Sequence, residues 1–132
     1  MADDLKRLPA VRSASDVVEL LRFGLAHRPR ESLWAIFLDD RLRLLHHERL
    51  AEGAVDKLHC EPQAVLRRAL ELDAAALIVA HNHPSGNPEA SEADHLYTQR
   101  LRSGAEALGI RVVDHVIIAR KGSYSFVTGG LL

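Results

Sequence analysis

With 132 residues, the chain is the size of one domain and can bury about two-thirds of the surface its unfolded form exposes. Its charges nearly cancel, to a formal net charge of −1, which excludes the strong basic field of a typical nucleic-acid binder. A single cysteine, Cys60, excludes an internal disulfide. No apolar stretch approaches the ~20 residues of a membrane span, and the N-terminal MADDLKRLPAV lacks the charged-then-apolar layout of a secretory signal. The expectation is a soluble, cytoplasmic protein.

In chain order, a helix is expected to start after Ser13 or Ser15, with Val17, Leu20, Leu21 and Leu25 at helical spacing, and to close before Pro29. LWAIFLD (33–39) is an apolar run that suits a strand buried on both faces. Asp39-Asp40 marks a turn, and the partly alternating RLRLLHHERL (41–50) reads as the returning strand of a hairpin. After Gly53, AVDKLHC (54–60) reads as a further strand. Pro62 suits the first position of a helix whose apolar face is Val65, Leu66, Ala69 and Leu70. AAALIVA (74–80) is a short buried strand. A helix over 91–109 follows, with Ala93, Tyr97, Leu101, Ala105 and Leu108 as its stripe and Gly109 as its stop. RVVDHVIIA (111–119), a Lys121-Gly122 turn and SYSFV (123–127) form a closing hairpin. Alternating strands and helices between terminal hairpins predict an α/β sandwich around a mixed sheet flanked by helices.

The chemistry concentrates in AHNHPSGNPEASEAD (80–94). Side chains at i and i+2 of a strand share a side. If the strand persists to residue 83, His81 and His83 project together and can clamp a divalent cation. Asp94, in the first turn of the next helix, can supply a third ligand. Three protein ligands and a water is the layout of a catalytic zinc site. Each piece has a structural alternative. The histidines can be hydrogen-bonded strand-end residues. Ser91 and Asp94 also fit a capping box, and on spacing alone capping is the better account of both. The two roles can also be divided, with Ser91 capping and Asp94 binding metal.

The combination His-x-His-Pro-Ser-Gly followed by Ser-x-x-Asp resembles the signature of the JAMM (MPN-type) metalloprotease superfamily, and it is most similar to the RadC-like branch. AVLRRALELDAAALIVAHNHPSG, LGIRVVDHVIIA and SYSF resemble that branch as well, so the likeness covers about residues 30–128 of a single domain. The resemblance implies a JAMM/MPN-like, cytidine-deaminase-like layered sandwich. It implies a Zn2+ ion on His81, His83 and Asp94, and Ser91 as the residue that supports the tetrahedral intermediate. A glutamate on an upstream strand would be the general base. Glu48, five residues before Gly53, is the expected one, and Glu52 is the alternative. The implied reaction is hydrolysis of a peptide or isopeptide bond in an unidentified peptide or protein substrate. Asp114 and His115 also recur in the resemblance, and are expected to make a hydrogen bond behind the metal ligands or at the strand end rather than to bind metal.

Relatives in that branch usually carry an N-terminal helix-hairpin-helix region, for which this chain has no room. With the near-zero net charge, that weighs against autonomous DNA binding. Ala54 and Asp73 stand where threonine and asparagine are common. The alternative function is a non-catalytic interaction module or a protein associated with DNA repair or recombination. A zinc nucleobase deaminase is disfavoured, since it expects His-x-Glu and Pro-Cys-x-x-Cys. Oligomeric state is not legible in the sequence.

Overall fold

The apolar runs become the central strands of one five-stranded sheet. The computed structural model describes residues 16–19, 21, 28–53, 61–130 and 132. β1 (Glu31–Leu38) and β2 (Leu44–Gly53) form the expected hairpin. α1 (Pro62–Glu71) leads into β3 (Ala76–Asn82), α2 (Glu92–Ala107) connects β3 to β4 (Arg111–Ala119), and β5 (Gly122–Ser125) closes the second hairpin. The strand order is β2-β1-β3-β4-β5. β1 is antiparallel to both its neighbours, β3 and β4 are parallel, and β5 returns antiparallel to β4. The sheet is therefore mixed, as expected. The strand read at 54–60 lies outside the described residues.

Alternation along the strands builds two cores. Ile36, Leu38, Ile78, Ala80, Val116 and Ile118 face one way and pack under Val17 and Leu21 of an N-terminal helical stretch. Leu33, Ala35, Phe37, Leu77 and Val79 face the other way, onto Val65, Leu66 and Ala69 of α1 and Leu101 and Ala105 of α2. Every residue of β3 is buried, which is why its sequence is a continuous apolar run rather than an alternation. The two helices meet closely. A Cβ on Gly104 of α2 would lie 2.7 Å from Leu66 Cδ1 of α1.

Two helix stripes differ from their reading. Leu70 of α1 and Leu108 beyond α2 are about half exposed, each at the C-terminal end of its helix. Ala93 is exposed, and the polar Thr98 is buried in α2 instead. Asp73, in the turn before β3, has φ 55. Asparagine and aspartate tolerate this left-handed position better than most residues, so aspartate is a mild departure there. Among the described residues, no helix is long and apolar enough to cross a membrane.

Candidate metal centre

β3 runs on through His81 and Asn82, two residues beyond its apolar stretch. His83 keeps the ladder going, its N–H donating to Ile118 O. His81 shares the face of Leu77 and Val79, so it points to the helix side of the sheet, and His83 does the same. Leu33 of β1 stands opposite His81. Two residues back along β1, antiparallel pairing puts Glu31 beside His83 on that same face.

Asp94 arrives from the third position of α2. The capping box read in the sequence is present: Ser91 Oγ accepts from Asp94 N at 3.1 Å, and Ser91 N donates to Asp94 Oδ2 at 2.9 Å. Capping and site are not alternatives for Asp94, because its carboxylate does both. Oδ1 lies 3.1 Å from His81 Nε2 and Oδ2 lies 3.2 Å from His83 Nε2. The two Nε2 atoms are 3.0 Å apart, and Glu31 Oε1 is 3.6 Å from His81 Nε2. One donor atom each from Glu31, His81, His83 and Asp94 thus falls within 4.8 Å of all the others.

These separations fit a bound cation. Ligand atoms ~2.0–2.1 Å from a tetrahedral ion lie about 3.3 Å from one another. The donor set fits as well. His83 Nδ1 meets the carbonyl of Asn87 at 3.0 Å. A carbonyl only accepts, so Nδ1 carries the proton and the neutral ring offers its Nε2 lone pair to the cluster. Two carboxylates and such lone pairs repel each other unless a proton or a cation lies between them.

The ionisation of the cluster reflects this. Hydrogen bonding to Asp94, against the opposing effect of burial, raises the pKa of His83 above its ordinary 6.5. Burial pushes the Asp94 carboxyl up, but its hydrogen bonds with His81 and His83 win and hold it well below the usual carboxylate range. Burial holds His115 well below 6.5, so that ring is neutral.

Of the expected site residues, His81, His83, Asp94 and Ser91 come together, and Glu48 does not join them. Glu48 stands opposite Ala35, four residues from Glu31 along β1, or ~13 Å at strand rise. Its carboxylate accepts from Arg68 Nε of α1 and lies 3.4 Å from His46. Glu52 stands opposite Ser32, with its carboxylate between Arg28 and Arg49. The glutamate brought to the histidines is Glu31, which the sequence reading passed over. Its only local signal is an acid two residues before Leu33, in phase with Leu33, Ala35 and Phe37. The pairing of β1 with β3 gives that position its meaning.

Asn82, between the two histidines, points to the opposite face and is fully buried. Its Oδ1 accepts from Ser32 N at 2.7 Å and Ser32 Oγ at 3.2 Å. Its Nδ2 donates to Arg30 O at 2.9 Å and to Arg28 O at 3.4 Å. One side chain therefore holds the backbone on both sides of Glu31.

Comparison with known proteins agrees with this architecture. The family described as RadC-like JAB domain matches residues 11–131. A UPF0758 protein of Rhodobacter capsulatus is 43% identical over 124 residues, which is 94% of this chain and 58% of that protein. A UPF0758 protein of Coxiella burnetii is 37% identical over 132 residues, covering all of this chain and 59% of the relative. The UPF0758 protein Mpe_A2695 of Methylibium petroleiphilum is 41% identical over 132 residues, 60% of its own length. The chain spans about three-fifths of the length of these relatives.

Proposed function

We propose that this chain, which belongs to the RadC-like JAB domain family, is a metal-dependent hydrolase of peptide or isopeptide bonds. One observation carries the reading: the convergence of Glu31, His81, His83 and Asp94, with their donor atoms within 4.8 Å of one another. His81, His83 and Asp94, whose donors are 3.0–3.2 Å apart, are the ligands. A His/His/Asp set suits zinc. Glu31, the outlying member at 3.6 Å from His81, is the general base rather than a fourth ligand. Zinc held there would supply Lewis acidity, lowering the pKa of water and polarising a carbonyl.

The chain's own residues do the remaining work. Glu31 accepts a proton from the attacking water and passes it to the departing amine. Ser91 Oγ is occupied as an acceptor by Asp94 N, which leaves its hydroxyl proton for the oxygen that gains charge. Asp94 has its carboxylate fixed by the Ser91 N–H, so helix capping also aims a ligand. The substrate is a peptide or protein.

The test is zinc content and peptide-bond cleavage, measured on wild type, Glu31→Gln, Glu48→Gln and His83→Ala. Wild type is expected to keep about one zinc per chain and to cleave members of a peptide and isopeptide library. Glu31→Gln should keep its zinc and lose ~10²–10⁴-fold in turnover. Glu48→Gln should stay within a few-fold of wild type, and His83→Ala should lose the metal. Loss of turnover in Glu48→Gln, with Glu31→Gln active, would return the base to β2. Zinc retention with no cleavage of any amide would favour a non-catalytic interaction module.

A further inference from the structure

His115 touches the cluster without joining it. It lies on β4, 1% exposed, with its ring stacked on Phe126 at a centroid distance of 4.5 Å. Its Nε2 is 2.8 Å from His81 Nδ1, and its Nδ1 meets Thr98 Oγ1. The Thr98 hydroxyl in turn donates to the backbone carbonyl of Asp94 at 2.8 Å.

These bonds have a direction. A hydroxyl has one proton, and that of Thr98 is engaged by Asp94 O, so Thr98 Oγ1 must accept from His115 Nδ1–H. A second proton on His115 would be a buried charge whose ring nitrogens meet only His81 and Thr98 among the described residues, with no carboxylate in direct contact. The neutral ring therefore has a bare Nε2, which accepts from His81 Nδ1–H. His81 is then left with its Nε2 lone pair aimed into the cluster. The relay begins at one ligand residue and ends on the backbone of another.

We propose that His115, itself held by Thr98, is a positioning residue that sets the tautomer and ring orientation of His81 for metal binding. This rests on the metal-site reading above. It also explains a polar residue inside α2, since Thr98 occupies an otherwise apolar face in order to orient the imidazole on β4.

The test uses the full chain with 15N-labelled histidine, metal-free, above pH ~8 where ordinary imidazoles are neutral. Long-range proton–nitrogen spectra should show His115 and His81 both as Nδ1–H tautomers. Zinc affinity is then compared between wild type, His115→Phe and His115→Gln. The phenyl ring keeps the stacking on Phe126 and loses both hydrogen bonds, so affinity should fall ~10- to 100-fold. Glutamine restores an acceptor for His81 Nδ1–H and should recover most of that loss. If His115→Phe does not fold, Thr98→Val, of nearly the same shape, should shift His115 away from the Nδ1–H form.

An Nε2–H tautomer of His115 in wild type would overturn the proposal. So would folded His115→Phe with wild-type zinc affinity, or loss of affinity that glutamine does not relieve. If wild type binds no zinc, the metal-site reading fails. The tautomers of His115 and His81 still report independently on whether the relay exists.

Discussion

Asn82 offers no atom to the donor cluster, yet the position of Glu31 depends on it. Replacing it with alanine strips partners from the Ser32 N–H and the Arg30 carbonyl. A buried polar group left unsatisfied costs ~1–3 kcal/mol. Asn82→Ala should therefore lower unfolding free energy by about 2–3 kcal/mol in urea. It should also reduce turnover more than zinc content, because the tether holds Glu31, the proposed base, and not the proposed ligands. Equal loss of both would mean that Asn82 supports the whole strand end. At this scale the sequence was readable where chemistry is local. His81, His83, Ser91 and Asp94 lie within fourteen positions and announce themselves by spacing. Glu31 lies fifty residues before His81, and the hairpin strand offered a glutamate at a plausible distance from a glycine. Only the pairing of β1 with β3 separates Glu31 from Glu48.

At the scale of elements, α2 carries both a cap and a member of the donor cluster, so a substitution at its start tests two things at once. The two can be separated at Ser91. Alanine at an N-cap costs ~1 kcal/mol, whereas glycine costs only a few tenths. If the hydroxyl acts on the developing oxyanion, Ser91→Ala and Ser91→Gly should lose similar turnover, ~10²-fold or more, while only alanine measurably lowers thermal stability. If glycine restores turnover, the hydroxyl serves the helix alone. The elements themselves were legible because period and length agree: the buried runs became β1, β3 and β4, and the Pro62 start became α1. What the pattern could not show was Thr98, since its partner beyond its own helix is a ring on β4.

For the whole molecule, the histidines make stability respond to pH in two directions. Burial holds His115 well below 6.5 and lowers His47 as well. As pH falls below ~6.5, the unfolded chain takes up protons that these folded rings refuse, and stability drops. His83 has the opposite sign. Its pKa is raised, so its contribution is complete below ~6.5 and is lost as pH rises through the raised value. The Asp94 contribution, complete above 3.8, adds to the acid-side loss. Urea midpoints of the metal-free chain should peak near pH ~6.5. Zinc should remove the alkaline decline, since a cation replaces the proton of His83. A midpoint that rises steadily through pH 8 would contradict the assignment for His83. The overall plan, a mixed sheet between helices, followed from alternating element types. The strand order did not, because the antiparallel contact of β1 with β3 joins segments separated by α1. That contact has a further consequence. A slip of one residue in β1 turns each of its side chains to the opposite face, which carries Glu31 away and brings Arg30 or Ser32 to the histidines. A guanidinium there would repel the cation that the carboxylate welcomes. A metal bound as proposed would therefore act as a proofreader of the sheet: it would bind the correctly registered fold, where Glu31 faces the histidines, and disfavour the slip that brings Arg30 there.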